Sequence, residues 1–400
     1  MRDLTASQRK IIGSERHVWP NELAFAEAIY AERLELIQKD ILARGLSVVI
    51  LFDPENMYWL TGYQTIGYFT FQAMCIPASG KPVIVTRVVN RDMALALPTI
   101  GNAISVFDTQ DHVDILEAYL KDTVPTGQIG IDTTSRYLNI CDYTRLVDRL
   151  GGRFEPFINV IEAHRMVKTS DELDRMRAAA SAVKAGIDAA LKTIAVGKTD
   201  NDLAAALYQG SIAAGSEYIG HPPMVVTGPR SELCFALWKR NTIEKGDVVL
   251  LEGAGCVDRY HAMMSRSAVV GKATDEHKAT ADALIEILET AIDTIKPGVT
   301  AGEVDFACRQ KVEKRGLGQY FKSRTAYGIG IGFPPNWAEG HIYSLRPNDP
   351  MVLQPNMTFH VIPTMFRTGF GMAISDSVRV TEDGCEVLTN YPRDLMEIDA

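Results

Sequence analysis

One acid stands apart by its surroundings. The run VVLLEGAG (248–255) is apolar or small at every position except Glu252, and its β-branched start marks it as a strand. A carboxylate set in an apolar wall costs several kcal/mol unless it finds a partner. The partner is either a neighbouring strand, which makes the acid structural, or a bound cation, which makes it functional. Four histidines qualify for proton transfer because imidazole titrates near neutrality. They are His360 in MTFHVIP, His341 in AEGH, His261 in DRYHAM and His221 in GHPP. A lone histidine in a strand is also often a satisfied core residue, and His221 can simply shape a loop. Arg324, just before TAYGIG, and Arg230 in TGPRSE are the candidate partners for an anionic ligand group, since guanidinium pairs with carboxylate in a bidentate fork.

Two kinds of element must position these groups. In the first part of the chain, helix and strand alternate. Ala26, Ile29, Tyr30, Leu34, Ile37 and Ile41 recur at helical spacing, and LSVVILF (46–52), KPVIVT (81–86) and GQIGID (127–132) read as strands. A linker near FEPFINVIEAHRMVKTSDE then leads to a T-x-x-E capping box at Thr169 and Glu172. Apolar and small residues at 173, 176, 180, 183, 187 and 191 carry the helix it opens to about Leu191. The expected division is 1–165 and 166–400. The second part contains an echo of itself. IAVGKTDNDLAAALYQGSIAAG from Ile194 and IKPGVTAGEVDFACRQKVEKRG from Ile295 align Gly197 with Gly298, Thr199 with Thr300 and Gly215 with Gly316. Each copy is a glycine turn, a threonine N-cap with an acid three residues on, and a helix. Two copies indicate a pseudo-twofold α/β domain, not a solenoid. Strands are expected at 248–255, 267–271, 357–363 and 377–381.

The composition narrows the function classes. A formal charge of −9 without any long Lys/Arg run lacks the basic footprint of a nucleic-acid binder. No segment approaches the ~20 apolar residues of a membrane-spanning helix. The six cysteines form no CxxC pair, and the start MRDLTASQRK is polar. Reduced cysteines and a cytoplasmic location are therefore expected.

Five fragments occur in a telling order: MVKTSDELDRMR, IEKGDVVLLEGAG (243–255), YGIGIGFPP (327–335), LQPNMTFHVIP (353–363) and SDSVRVTEDG (375–384). In this order the chain resembles the superfamily of creatinase, aminopeptidase P and methionine aminopeptidase. The resemblance implies an α/β fold, with an N-terminal creatinase-like α/β domain and a C-terminal pseudo-twofold "pita-bread" domain. Metal peptidases of that superfamily hold two metal ions with Asp, Asp, His, Glu and Glu. Those positions fall here on Glu252, Met263, Tyr327, Ile362 and Ser375. A thioether, a phenol, an alkyl chain and a hydroxyl do not replace such ligands, so no metal and no other cofactor is expected. Creatinase is a metal-free member, but its catalytic His falls on Phe235 and its substrate-holding Glu on Ser265.

The chain also resembles a further metal-free branch, the ectoine hydrolases, in length, in acidity, in the LLEGAG strand and in GFPPNWAEGH. This resemblance implies a small-molecule substrate: an ectoine-like zwitterion, ectoine or 5-hydroxyectoine, with an amidinium and a carboxylate. Glu252 would pair with the amidinium and act as nucleophile or as base toward water. Tyr327 would donate to the carboxylate or to the developing charge. Trp337 would stack on the flat cation, Glu339 would pair with it, and Phe235, Met263, His341 and Ile362 would also contact the substrate. His261, two residues before Met263, would share its face, whereas Asp376 would point away. The superfamily also implies a homodimer, in which Phe52, Tyr58 and Tyr63 complete the pocket of the partner. The alternatives are another metal-free hydrolase of a guanidino or amidino compound, which needs a second acid such as Glu339 or Asp258, and a non-catalytic binding module.

Overall fold

The computed structural model describes residues 22–399. They form two compact units whose boundary lies between His164 and Arg165. In the first unit, six strands make one sheet: β1 (Leu46–Leu51), β2 (Gln72–Pro77), β3 (Val83–Arg87), β4 (Asn102–Val106), β5 (Gln128–Ile131) and β6 (Phe154–Pro156), in the order β4-β3-β2-β1-β5-β6. The pairs β1/β2 and β2/β3 are antiparallel, and β1/β5, β3/β4 and β5/β6 are parallel. The helix Glu27–Ala43 buries Tyr30, Ile37 and Ile41, positions read from the helical period. The helix His112–Thr123, capped by the Asp111 carboxylate on the Val113 and Asp114 N–H groups, buries Val113, Leu116 and Leu120.

The second unit is built on a larger sheet. Along its main path the strands lie in the order Cys385–Val387, Asp376–Val380, Thr358–Val361, Ala326–Phe333, Tyr260–Val270, Val248–Val257, Met224–Thr227. The strands are β7 (Met224–Thr227), β8 (Val248–Val257), β9 (Tyr260–Val270), β10 (Ala326–Phe333), β11 (Asn336–Ala338), β12 (Ser344–Leu345), β13 (Thr358–Val361), β14 (Thr364–Arg367), β15 (Phe370–Ala373), β16 (Asp376–Val380), β17 (Cys385–Val387) and β18 (Met396–Ile398). β11 and β12 join β10, β18 pairs parallel with β9, and β14 and β15 form a separate hairpin.

The helix Ser170–Thr193 opens with the Thr169/Glu172 capping box. The repeated segments fold alike. Thr199 and Thr300 each cap a 14-residue helix, Asp200–Ala213 and Ala301–Lys314, with the acid three residues on reaching back. Gly197 and Gly298 sit at φ +84° and +85°, and Gly215 and Gly316 are also at positive φ, a conformation glycine adopts without a Cβ penalty. The echo in the sequence is thus an echo in backbone and caps.

The alternation of β8 separates core from site. Val249 and Leu251 pack with Val183, Ile187 and Leu207 of the helices. On that same face, a Cβ at Gly255 would come within 2.0 Å of the Ala179 carbonyl oxygen, so only glycine lets the helix lie this close. Leu250 and Glu252 point to the opposite face, where a cavity opens.

Candidate active site

The cavity lies wholly in the second unit and has a volume of about 260 Å³. β7 and β8 supply Met224, Val226, Leu250 and Glu252. The loop after β7 supplies Leu233, Cys234, Phe235 and Ala236, and β10 and β11 supply Tyr327, Asn336, Trp337 and Ala338. His221, Arg324, Ile362, Thr364, Phe366 and Ala373 complete much of the wall. Most of this surface is apolar.

Glu252 is only 3% exposed, and among the described residues its carboxyl has no hydrogen-bond partner. Burial pushes its pKa from the ordinary 4.5 up to about 8. An empty site therefore holds the acid in its neutral form near pH 7, and a bound cation would draw it into ionising.

Tyr327 sits across the cavity wall as the hub of a buried line of polar groups. β10 and β13 place Tyr327 directly opposite His360. The Tyr327 hydroxyl lies 2.7 Å from His360 Nδ1 and accepts the Trp337 indole N–H at 3.2 Å. His360 Nε2 lies 2.7 Å from Ser375 Oγ, which also accepts the Ser265 backbone N–H. Burial, aided by the Arg266 charge, lowers the His360 pKa to about 3, and burial and then the Glu252 charge push that of Tyr327 well above its ordinary value. The line is neutral throughout. A neutral imidazole carries one proton, so the line can reverse its direction without creating a charge. His360 meets the cavity only through Tyr327.

Several expected contacts are corrected. Glu339 is 1% exposed and does not line the cavity. Its carboxylate takes Arg165 Nη2 at 2.6 Å and Lys168 Nζ at 2.7 Å. Burial alone would raise its pKa, but the Lys168 and Arg165 charges outweigh it and hold the carboxyl below its ordinary range. Glu339 is thus a structural anion that ties β11 to the start of the long helix. Gly330 leaves room for it, because a Cβ there would come within 2.6 Å of Glu339 Oε2.

His261 is fully buried. Its Nε2 accepts the Gly220 N–H at 3.0 Å, and Nδ1 lies 2.9 Å from the Arg259 carbonyl. Burial and then the Arg259 charge lower its pKa to about 3, so it anchors the loop that carries His221 and touches no ligand. Met263 is likewise fully buried outside the cavity wall, with its backbone N–H bonded to Ser377 Oγ. His341 lies on an exposed turn away from the wall. Phe52, Tyr58 and Tyr63 are 1–2% exposed in the first unit, Phe52 within its hydrophobic core. Within this unit these three rings are packed in the interior, whereas Phe69 of the same aromatic stretch is 77% exposed. Arg230 donates to the Leu237 carbonyl and so pins the loop that carries Phe235.

The other expectations do meet at the cavity. Arg324 lines it while donating through Nη1 to the Gly340 carbonyl and Ser344 Oγ. Trp337 lines it with its ring 4.7 Å from that of His221. Ile362 is in the wall, and Phe235, 71% exposed at φ +63°, is at the mouth. Asp376 points elsewhere, to Arg266 at 3.0 Å and Arg393 at 2.8 Å. Sequence reasoning missed Cys234, Leu233 and Phe366 at the wall, and it met Ser265 and Ser375 only as positions where the superfamily carries other residues. The signal for the serines is their alternation, Ser265/Ser267 about Arg266 and Ser375/Ser377 about Asp376, which puts each pair on one strand face.

The donor set also bears on metal. Of the five positions matched to metal ligands only Glu252 is a carboxylate, and among the described residues no group of three or more His, Cys, Asp or Glu side chains is placed to hold an ion. The side chains present do not fit a dinuclear centre.

Comparison with known proteins agrees with this architecture. Residues 174–382 match the metallopeptidase family M24, and residues 33–167 match the creatinase/prolidase N-terminal domain. The chain belongs to family M24. It is 29% identical over 393 residues to an ectoine hydrolase of Halomonas elongata, covering 93% of this chain and 98% of that protein. It is 24% identical to a Xaa-Pro dipeptidase of Pyrococcus furiosus, covering 91% and 99%. Among solved structures, a prolidase from Thermococcus sibiricus superposes with a TM-score of 0.83 at 24% identity, covering 92% and 99%. No described helix is long and apolar enough to cross a membrane.

Proposed function

We propose that this protein is a metal-independent hydrolase that opens the cyclic amidine ring of ectoine, and of 5-hydroxyectoine, to an N-acetylated diaminobutyrate. The observation that carries the reading is Glu252, a buried carboxyl with no partner among the described residues, aimed into a largely apolar cavity. An amidinium is a planar cation whose central carbon is already electrophilic, so the carboxylate supplies both its counter-charge and the base or nucleophile the reaction needs. Arg324, at the wall of the same cavity, is the partner for the substrate carboxylate. Tyr327 gives a hydrogen bond to the reacting end, and the His360–Ser375 line behind it takes up the change in direction. Trp337 presents an aromatic surface to the ring.

Similarity to an ectoine hydrolase along almost the whole chain supports the same reading. The guanidino-hydrolase alternative asks for a second acid, and both candidates are engaged: Glu339 with Arg165 and Lys168, Asp258 with Arg175 at 2.5 Å. The proposal includes a homodimer in the cytoplasm, as the family resemblance suggests. Its test is incubation of purified protein with ectoine, followed by mass spectrometry. A product heavier by one water supports it, and unchanged ectoine at high enzyme concentration refutes it.

A further inference from the structure

A second buried group near Glu252 has no partner. Ser265 is 0% exposed, and among the described residues its Oγ has no hydrogen-bond partner. Antiparallel pairing of β8 with β9 sets Ser265 directly opposite Glu252. Directly opposed residues in such a pair share one face, with Cβ atoms roughly 5 Å apart. Glu252 and Ser265 therefore stand side by side on one face of the sheet, Glu252 in the cavity wall and Ser265 buried beside it, and among the described residues neither side chain has a hydrogen-bond partner.

The surroundings make this pairing unusual. Each neighbouring serine hydroxyl is engaged: Ser267 Oγ with the Ala373 backbone, Ser375 Oγ with His360 and the Ser265 N–H, Ser377 Oγ with the Met263 backbone. A fully buried hydroxyl without a partner is destabilising, and native structures usually satisfy such a group with an ordered water. A water here would touch the hydroxyl on one side and the carboxyl on the other.

We propose that Ser265 is a further catalytic residue, whose hydroxyl and the Glu252 carboxylate together hold the water that opens the ring. The proposal rests on the amidine-hydrolase reading. The water oxygen attacks the amidinium carbon as Glu252 takes one of its protons, forming the C–O bond. That proton passes from Glu252 to the ring nitrogen, and the C–N bond breaks. The second water proton follows as the oxygen becomes the amide carbonyl, leaving an ammonium group. One water is consumed, and charge and hydrogen balance.

Two measurements test this on the full-length protein. The first is a high-resolution crystal structure of the wild type, Ser265→Ala and Ser265→Thr without ligand. One ordered water within hydrogen-bond distance of Ser265 Oγ and Glu252, absent from Ser265→Ala and kept in Ser265→Thr, is expected. A Ser265 hydroxyl bonded to protein, or a water unchanged in Ser265→Ala, overturns the proposal. The second is ectoine kinetics. Ser265→Ala should lower kcat about tenfold to a hundredfold with KM within about twofold, and Ser265→Thr should restore most of it. Equal losses in both variants, or a change confined to KM, also overturn it. If the wild type leaves ectoine untouched, the functional reading fails by itself, and the crystal structures still decide the water site.

Discussion

Replacing Glu252 by glutamine should change how stability depends on pH, and the structure sets the size. Burial raises the carboxyl pKa from 4.5 to about 8, so the folded protein binds this proton more tightly than the unfolded chain does. The sign follows from linkage: stability from this group is full below about pH 4.5, falls as pH rises, and is lost above about pH 8. At about 1.4 kcal/mol per unit, the whole window is worth about 5 kcal/mol, to order of magnitude. The glutamine side chain keeps the shape but cannot ionise. The assay is denaturant unfolding of both proteins at pH 5, 7 and 9, read as their difference, in which the other titrating groups cancel. The variant should gain on the wild type by about 3–5 kcal/mol between pH 5 and pH 9. Parallel pH profiles would refute the claim that this acid is buried without a partner. Saturating acetamidinium, a small amidinium cation, should bring the two profiles closer, because a cation beside the carboxylate removes the cost of ionising it.

Two further outcomes follow from the same geometry. Glu339→Ala strands Arg165 and Lys168 as buried cations and should destabilise the protein by about 3–5 kcal/mol; a loss of substrate affinity at unchanged stability would return Glu339 to the ligand site. Arg324→Ala should raise KM for ectoine about tenfold with a smaller effect on kcat, while binding of acetamidinium, which has no carboxylate, stays unchanged; equal weakening of both ligands would show that Arg324 merely shapes the wall.

Local signals carried most of the fold, and long-range pairing carried most of what was missed. The Thr169/Glu172 box and the doubled Gly–Thr–acid motif at 197–202 and 298–303 were legible because each is satisfied within a few residues. Glu252 was legible because an acid is conspicuous in an apolar strand. The fates of Glu339 and His261 were not. Glu339 is neutralised by cations 171 and 174 residues away, and His261 is satisfied by backbone at Gly220 and Arg259. No local pattern encodes either pairing. The Tyr327–His360 contact depends on the register of β10 on β13, which the sequence leaves open. Phe52 and Tyr58 misled because aromatic residues suit a core as well as a binding surface.

The most direct test of the central claim is ring opening of ectoine in the presence of a strong chelator, compared for the wild type and for Glu252→Gln shown to be folded. The account predicts undiminished wild-type turnover and loss of turnover in the variant by at least about a hundredfold. Turnover that the chelator abolishes and added divalent metal restores, or a Glu252→Gln variant that still opens the ring at the wild-type rate, would contradict it.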